Sequence, residues 1–119
     1  MRVLLVDNEL ELVSTVAERL SIRGIDADWS TECEEALKKI QAKAYDVVIL
    51  DMKMPKHTGL ELKKLMQKMR PGMKYIFITG HGSETDFKAG SAEAGAKYYL
   101  LKPVNIEDVI KKIHEILGN

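Results

Sequence analysis

The sequence predicts an α/β fold in which five parallel strands alternate with five helices. Four apolar runs, at positions 3–6, 47–50, 75–78 and 98–101, are typical of strands that are buried on both faces of a parallel sheet. The segments between the runs carry apolar residues at helical spacing. Strict alternation of strand and helix implies a doubly wound sheet with helices on both faces.

The first two helices are predicted from spacing and from their end signals. Gly24 is placed to close the first helix, as a glycine just after the last turn does. A fifth, less apolar strand follows at 27–30. Thr31 and Glu34 then have the spacing of a capping box, which predicts that the second helix begins there.

The remaining helices have similar signals. Thr58 and Glu61 repeat the capping-box spacing at the start of the third helix, which Pro71-Gly72 ends. Ser83 is placed to cap a fourth helix that runs through residue 94, and Asn105 to cap the fifth. The fifth helix carries an apolar stripe made of Ile106, Val109, Ile110, Ile113 and Leu117.

Length and composition restrict the class of protein. With 119 residues we expect one domain that spans 1–119. The 18 basic and 18 acidic residues cancel, and no aromatic residues interleave with the basic group at 63–74, so we expect no direct nucleic-acid binding. The single Cys33 cannot form an internal disulfide, and no apolar segment reaches the ~20 residues of a membrane span. These features predict a cytoplasmic protein without membrane association.

One polar residue follows each of the four apolar runs: Asp7, Asp51, Thr79 and Lys102. The carboxyl ends of parallel strands share one edge of the sheet, where ligands bind. Right-handed crossovers favour the flavodoxin-like strand order 2-1-3-4-5, which makes the first and third strands neighbours and brings Asp7 beside Asp51. Two carboxylates, a hydroxyl and an ammonium can hold a divalent cation and a phosphoryl group, and an aspartate there can accept phosphate.

These segments resemble the receiver domain of bacterial two-component response regulators over the whole chain. The matching segments are Val6-Asp7-Asn8-Glu9, Asp51-Met52-Lys53-Met54-Pro55 with Gly59, Thr79-Gly80, and Lys102-Pro103. Tyr99, three residues before the lysine, is in the position of the family's switch aromatic. The proline of the last segment typically follows a cis peptide bond in this family.

The resemblance implies a switch that is controlled by phosphorylation. A histidine kinase or histidine phosphotransfer protein would donate phosphoryl to Asp51, with Lys102 and Thr79 assisting. Mg²⁺ would be bound by Asp7, Asn8, Asp51 and the backbone carbonyl of Lys53. Thr79 and Tyr99 would then change the face formed by the fourth helix, the fifth strand and the fifth helix, and so its preference for a downstream protein or effector domain.

One position departs from the family pattern and leaves alternatives open. Asn8 stands where the family usually has a second acidic residue, so we expect Mg²⁺ to bind weakly. The departure favours a pseudo-receiver, an interaction module that is not regulated by phosphorylation, whereas the retained Asp51, Thr79 and Lys102 oppose that alternative. A small phosphatase with an aspartyl nucleophile is a third possibility, but it would need an acid/base carboxylate where Lys53 stands. The expected class is therefore a signalling phosphoacceptor, which assists only its own phosphorylation and dephosphorylation, rather than an enzyme.

Overall fold

The computed structural model describes residues 1–80 and 99–118. Five strands form one parallel sheet in the order β2-β1-β3-β4-β5, as the sequence predicts. The strands are β1 (Arg2–Val6), β2 (Asp26–Ser30), β3 (Val47–Asp51), β4 (Lys74–Thr79) and β5 (Tyr99–Leu101). The helices are α1 (Leu10–Ile22), α2 (Cys33–Ala42), α3 (Gly59–Met69) and a C-terminal helix (Ile106–Leu117). The predicted helix at 83–94 lies outside the described residues.

Alternation along the central strands divides the core into two layers. One set of strand residues, including Leu4, Leu50 and Phe77, packs with buried residues of α2 and α3. The other set, including Leu5 and Ile49, packs with buried residues of α1 and the C-terminal helix. Helices therefore cover both faces of the sheet, and the carboxyl edge of the strands is left for polar residues.

Local end signals behave as predicted at three helices. Gly24 has a φ of 81° and follows α1; its N–H donates to Ser21 O at 3.0 Å, and Ile25 N–H donates to Leu20 O at 3.0 Å. This pair of bonds is a Schellman motif, and a positive φ favours glycine. The Thr58–Glu61 capping box at α3 is formed in both directions. Asn105 caps the C-terminal helix by accepting from Glu107 N at 2.8 Å.

The predicted capping box at Thr31 is wrong. Helix α2 begins at Cys33, so the capping position belongs to Glu32, whose side chain makes no capping hydrogen bond. The later start places Cys33, Ala36 and Ile40 together on the buried face. Packing against the sheet, rather than a side-chain cap, therefore sets where α2 begins.

None of the helices in the described residues has a long apolar segment that could cross a membrane. The peptide bond between Lys102 and Pro103 is cis, as the sequence resemblance led us to expect.

Candidate functional site

The four residues predicted to meet at one sheet edge do so. Asp7 follows β1 directly, Asp51 ends β3, Thr79 ends β4 and Lys102 follows β5. Parallel pairing brings the ends of β1 and β3 side by side and those of β4 and β5 next to them. Asp7, Asp51 and Thr79 are buried, although all three are polar. Buried polar groups on adjacent strand ends need partners or a function.

The Lys102 ammonium is the centre of the site. Its Nζ lies 3.1 Å from Asp7 Oδ2, 3.1 Å from Glu9 Oε1 and 3.4 Å from Asp51 Oδ2. The contact with Asp7 is an ion pair rather than a directed hydrogen bond, because Asp7 Oδ2 accepts none from the described residues. Lys102 is held in place further by its backbone N–H, which donates to Thr79 O at 2.8 Å. One cation therefore faces three carboxylates.

Asp51 is held by its backbone surroundings as well as by Lys102. Its Oδ1 accepts from Lys53 N at 3.1 Å. Gly59 N donates to Met52 O at 3.0 Å, so the start of α3 is bound to the segment that follows Asp51. A Cβ at Gly59 would lie 2.7 Å from Asp51 O, closer than real contacts allow. Glycine at this position therefore permits the close approach of the start of α3 to the Asp51 backbone.

Burial and neighbouring charges shift the pKa values of Asp51 and Lys102. Burial raises the pKa of Asp51 above its ordinary value; the Lys53 N–H opposes the rise, the Asp7 charge adds to it and Lys102 opposes it. Burial alone would lower the pKa of Lys102, but its hydrogen bond with Glu9 and the charges of Asp7 and Asp51 outweigh burial and raise it. Lys102 therefore keeps its positive charge at neutral pH.

The predicted metal ligands offer oxygen atoms of the kind that Mg²⁺ prefers. Asp7 Oδ1 accepts from Glu9 N at 2.9 Å, which leaves Oδ2 without a directed hydrogen bond in the described residues. Asn8 is exposed beside Asp7, and Lys53 is exposed two residues after Asp51. Within residues 1–80 and 99–118, no three His, Cys, Asp or Glu side chains are grouped as a metal site would need. The donor set fits a cation only if the Asn8 amide and the Lys53 carbonyl contribute.

Thr79 and Tyr99 lie on neighbouring strands. The Thr79 hydroxyl is buried and has no hydrogen-bond partner in the described residues. The Tyr99 ring is buried and stacks on Phe77, with ring centroids 5.5 Å apart. Phe77 pairs with Tyr99, and Thr79 pairs with Leu101, in the β4–β5 register. The aromatic ring is inside the core in this structure, and its movement stays a prediction.

The contact between Glu9 and Lys102 was not predicted from the sequence, which assigned Glu9 no role. Glu9 belongs to the same loop as Asp7 and Asn8, and its side chain reaches Lys102 across 93 positions of sequence. The signal that was available is the acidic residue two positions after Asp7, at the edge where Lys102 was expected.

Comparison with known proteins assigns the family. The family model for the response regulator receiver domain matches residues 3–114 of this chain. The chain belongs to this family. Among solved structures, a CheY-like receiver domain protein from Methanospirillum hungatei superposes on this receiver with a TM-score of 0.85 at 34% identity, covering 98% of this chain and 93% of that one. A receiver domain from Clostridium thermocellum gives a TM-score of 0.86 at 31% identity, covering 98% and 94%.

Curated relatives are longer than this receiver. The transcriptional regulatory protein CpxR homolog of Haemophilus influenzae is 34% identical over 98% of this chain, which spans 50% of that protein. The uncharacterized transcriptional regulatory protein YesN of Bacillus subtilis is 32% identical over 98% of this chain and 32% of its own length. The receiver therefore spans half or less of these two relatives. Receiver domains are signalling modules of two-component systems and generally bind Mg²⁺ where they are phosphorylated.

Proposed function

We propose that residues 1–119 form one receiver domain and that Asp51 accepts a phosphoryl group from a histidine kinase or a histidine phosphotransfer protein. The observation that carries this proposal is the placement of Asp51. Its carboxylate is buried at the carboxyl edge of the sheet, with Oδ2 3.4 Å from Lys102 Nζ. A buried carboxylate beside a fixed ammonium suits a nucleophile that must receive an anionic group.

The transfer uses the residues around Asp51 for positioning and charge. The P–N bond of the donor phosphohistidine breaks, an O–P bond to Asp51 forms, and the electron pair of the broken bond stays on the imidazole, which then takes up a proton. The Lys53 N–H orients one Asp51 oxygen at 3.1 Å. Lys102 neutralises charge on the phosphoryl oxygens, and the Thr79 hydroxyl donates to one of them.

Asp7, Asp51, the Asn8 amide oxygen and the Lys53 carbonyl would hold Mg²⁺ in this proposal. When bound, the ion supplies positive charge to the transferring group. We expect weak binding because Asn8 brings no charge.

The signal leaves through the face made by the fourth predicted helix, β5 and the C-terminal helix. Thr79 lies on β4 beside β5, which carries Tyr99, so a hydrogen bond from the buried Thr79 hydroxyl to the phosphoryl group would alter this face. The relatives are transcriptional regulatory proteins. We therefore propose output through a downstream protein or an effector domain, without direct contact between the receiver and nucleic acid.

Intact-protein mass spectrometry after incubation with acetyl phosphate and Mg²⁺ tests the proposal. We expect an acid-labile adduct of one phosphoryl group that maps to Asp51 and disappears in Asp51→Asn. Asp108→Asn is the matched control, because Asp108 is exposed on the C-terminal helix and should label as the wild type does. Undiminished labelling of Asp51→Asn would contradict the assignment of Asp51.

The same experiment separates the alternatives. A pseudo-receiver, which Asn8 favours, would give no adduct in the wild type at any Mg²⁺ concentration. A phosphatase would consume acetyl phosphate over many turnovers without an accumulating adduct. Either result would contradict the proposed switch.

A further inference from the structure

Lys102 has more anionic neighbours than its function in the proposed switch requires. An ammonium has three N–H donors, and Asp7, Glu9 and Asp51 lie 3.1, 3.1 and 3.4 Å from its nitrogen. A phosphoryl group on Asp51 would bring further anionic oxygens to the same cation. Because Lys102 already donates to Glu9 and Asp51 and forms an ion pair with Asp7, the phosphoryl oxygens would compete with these carboxylates for the ammonium.

Exposure decides which carboxylate can leave at the lowest cost. The side chains of Asp7 and Asp51 are 0% and 6% exposed, whereas that of Glu9 is 57% exposed. A buried carboxylate that lost its cation would remain charged and poorly solvated. Glu9 would instead be hydrated by solvent, and exposed ion pairs contribute little to stability.

We propose that Glu9 is a positioning residue for Lys102, whose carboxylate holds the ammonium before phosphorylation and is displaced from it when the phosphoryl group arrives. The inference rests on the proposed function at Asp51. While in place, the Glu9 carboxylate occupies a donor of Lys102 and repels an incoming anion. Glu9 therefore restrains phosphorylation and favours the unphosphorylated state.

The test compares Glu9→Gln with wild type. The matched control is Glu11→Gln, because Glu11 is an exposed acid in the first turn of α1. We would measure the rate of Asp51 labelling by acetyl phosphate and, by amide shifts, the affinity for beryllofluoride, a phosphoryl mimic, at saturating Mg²⁺. Glu9→Gln should raise both about two- to fivefold, the range that an exposed ion pair contributes. Glu11→Gln should leave both within experimental error.

Salt dependence distinguishes a charge effect from a structural one. The ratio of the Glu9→Gln rate to the wild-type rate should fall towards one as salt rises from about 0.05 to 0.5 M, because ions screen exposed charges. Thermal melts of all three proteins show whether each is folded. If Glu9→Gln increased the labelling rate by the same factor at every salt concentration, the proposal would be overturned, because the increase would then come from altered loop packing.

Two other results would also overturn the inference. Equal rates and affinities in Glu9→Gln and wild type would show that Glu9 does not restrain Lys102. Slower labelling with weaker Mg²⁺ binding in Glu9→Gln would show that Glu9 compensates for Asn8 at the cation. Absence of any adduct in wild type would instead contradict the proposed function itself, and is seen before the variants are compared.

Discussion

At the scale of single residues, Asn8 limits the negative charge of the site, because its side chain is uncharged. It follows Asp7 at the end of β1, and its amide adds no charge to an edge that already holds three carboxylates around one ammonium. A fourth carboxylate would strengthen attraction for a divalent cation and would increase repulsion when no cation is bound. We therefore expect that asparagine at this position lowers metal affinity and stabilises the metal-free form.

Asn8→Asp should tighten Mg²⁺ binding by about tenfold, which corresponds to ~1.4 kcal/mol. The variant should also unfold at a lower temperature than wild type in chelator and gain more from added Mg²⁺, because only the folded site binds the ion. Calorimetric titration and melting curves check both effects. Gln67→Glu adds the same charge at an exposed position of α3 and should change neither. Equal Mg²⁺ affinity in Asn8→Asp and wild type would place residue 8 outside the cation's ligands.

At the scale of elements, the edge strand β2 is joined to the segment before β3 by a side-chain hydrogen bond. The Tyr45 hydroxyl donates to Asp28 Oδ2 at 2.6 Å, and Lys43 Nζ lies 3.3 Å from the same oxygen. The hydrogen bond from Tyr45 lowers the pKa of Asp28, burial opposes this, and Lys43 lowers it further. A carboxyl group whose pKa is lowered on folding stabilises the native state where it is ionised.

Tyr45→Phe should therefore lower the free energy of unfolding by about 1–2 kcal/mol at pH 7, because it removes a hydrogen bond to a charged acceptor. The stabilisation is fully present above the unfolded pKa of Asp28, about 3.9, and is lost as pH falls through the lower folded pKa. The difference in the free energy of unfolding between Tyr45→Phe and wild type should thus be constant between about pH 7 and 5 and should become smaller below about pH 4. Urea denaturation across this range measures it.

Tyr75→Phe is the matched control for this prediction. The Tyr75 hydroxyl is buried without a hydrogen-bond partner in the described residues, so its removal relieves an unsatisfied group. We expect Tyr75→Phe to be neutral or slightly stabilising at every pH. If Tyr75→Phe lowered the free energy of unfolding as much as Tyr45→Phe does, the effect of Tyr45 would arise from packing and not from its hydrogen bond to Asp28.

At the scale of the whole molecule, β4 and β5 run from the site to the face proposed to bind partners. Thr79 lies at the end of β4, and its hydroxyl has no hydrogen-bond partner among residues 1–80 and 99–118. Two residue pairs earlier along the same two strands, Phe77 stacks on Tyr99. A new hydrogen bond at Thr79 would therefore act on strands that are already paired through Tyr99. This path supplies a physical connection between Asp51 and the face proposed to bind partners.

Thr79→Ala should leave Asp51 able to accept phosphate and should reduce the structural response. The alanine removes the hydroxyl that would donate to the phosphoryl group and leaves the backbone bond from Lys102 N to Thr79 O in place. The measurement is the amide chemical-shift change at Tyr99, Leu100 and Leu101 on addition of beryllofluoride and Mg²⁺. Thr79→Ser keeps the hydroxyl and should respond as wild type does. Shifts in Thr79→Ala as large as in wild type would rule out coupling through Thr79.

The sequence by itself determined the sheet, its order and the polar residues at its carboxyl edge. Apolar run length, helical spacing and end signals such as Gly24 and Thr58 are local, so they can be read without tertiary contacts. Strand direction then brings Asp7, Asp51, Thr79 and Lys102 to one edge whatever the packing details are. For the same reason the resemblance to receiver domains was already visible in the sequence.

Only the tertiary structure decided which groups at that edge touch one another. Glu9 contacts Lys102 across 93 positions, and the start of α2 at Cys33 follows from burial against the sheet. The Tyr45–Asp28 bond likewise joins two segments that no local pattern relates. Ion pairs and buried faces depend on how loops and layers meet in space, and that geometry is set by the packing of the whole core rather than by neighbouring residues.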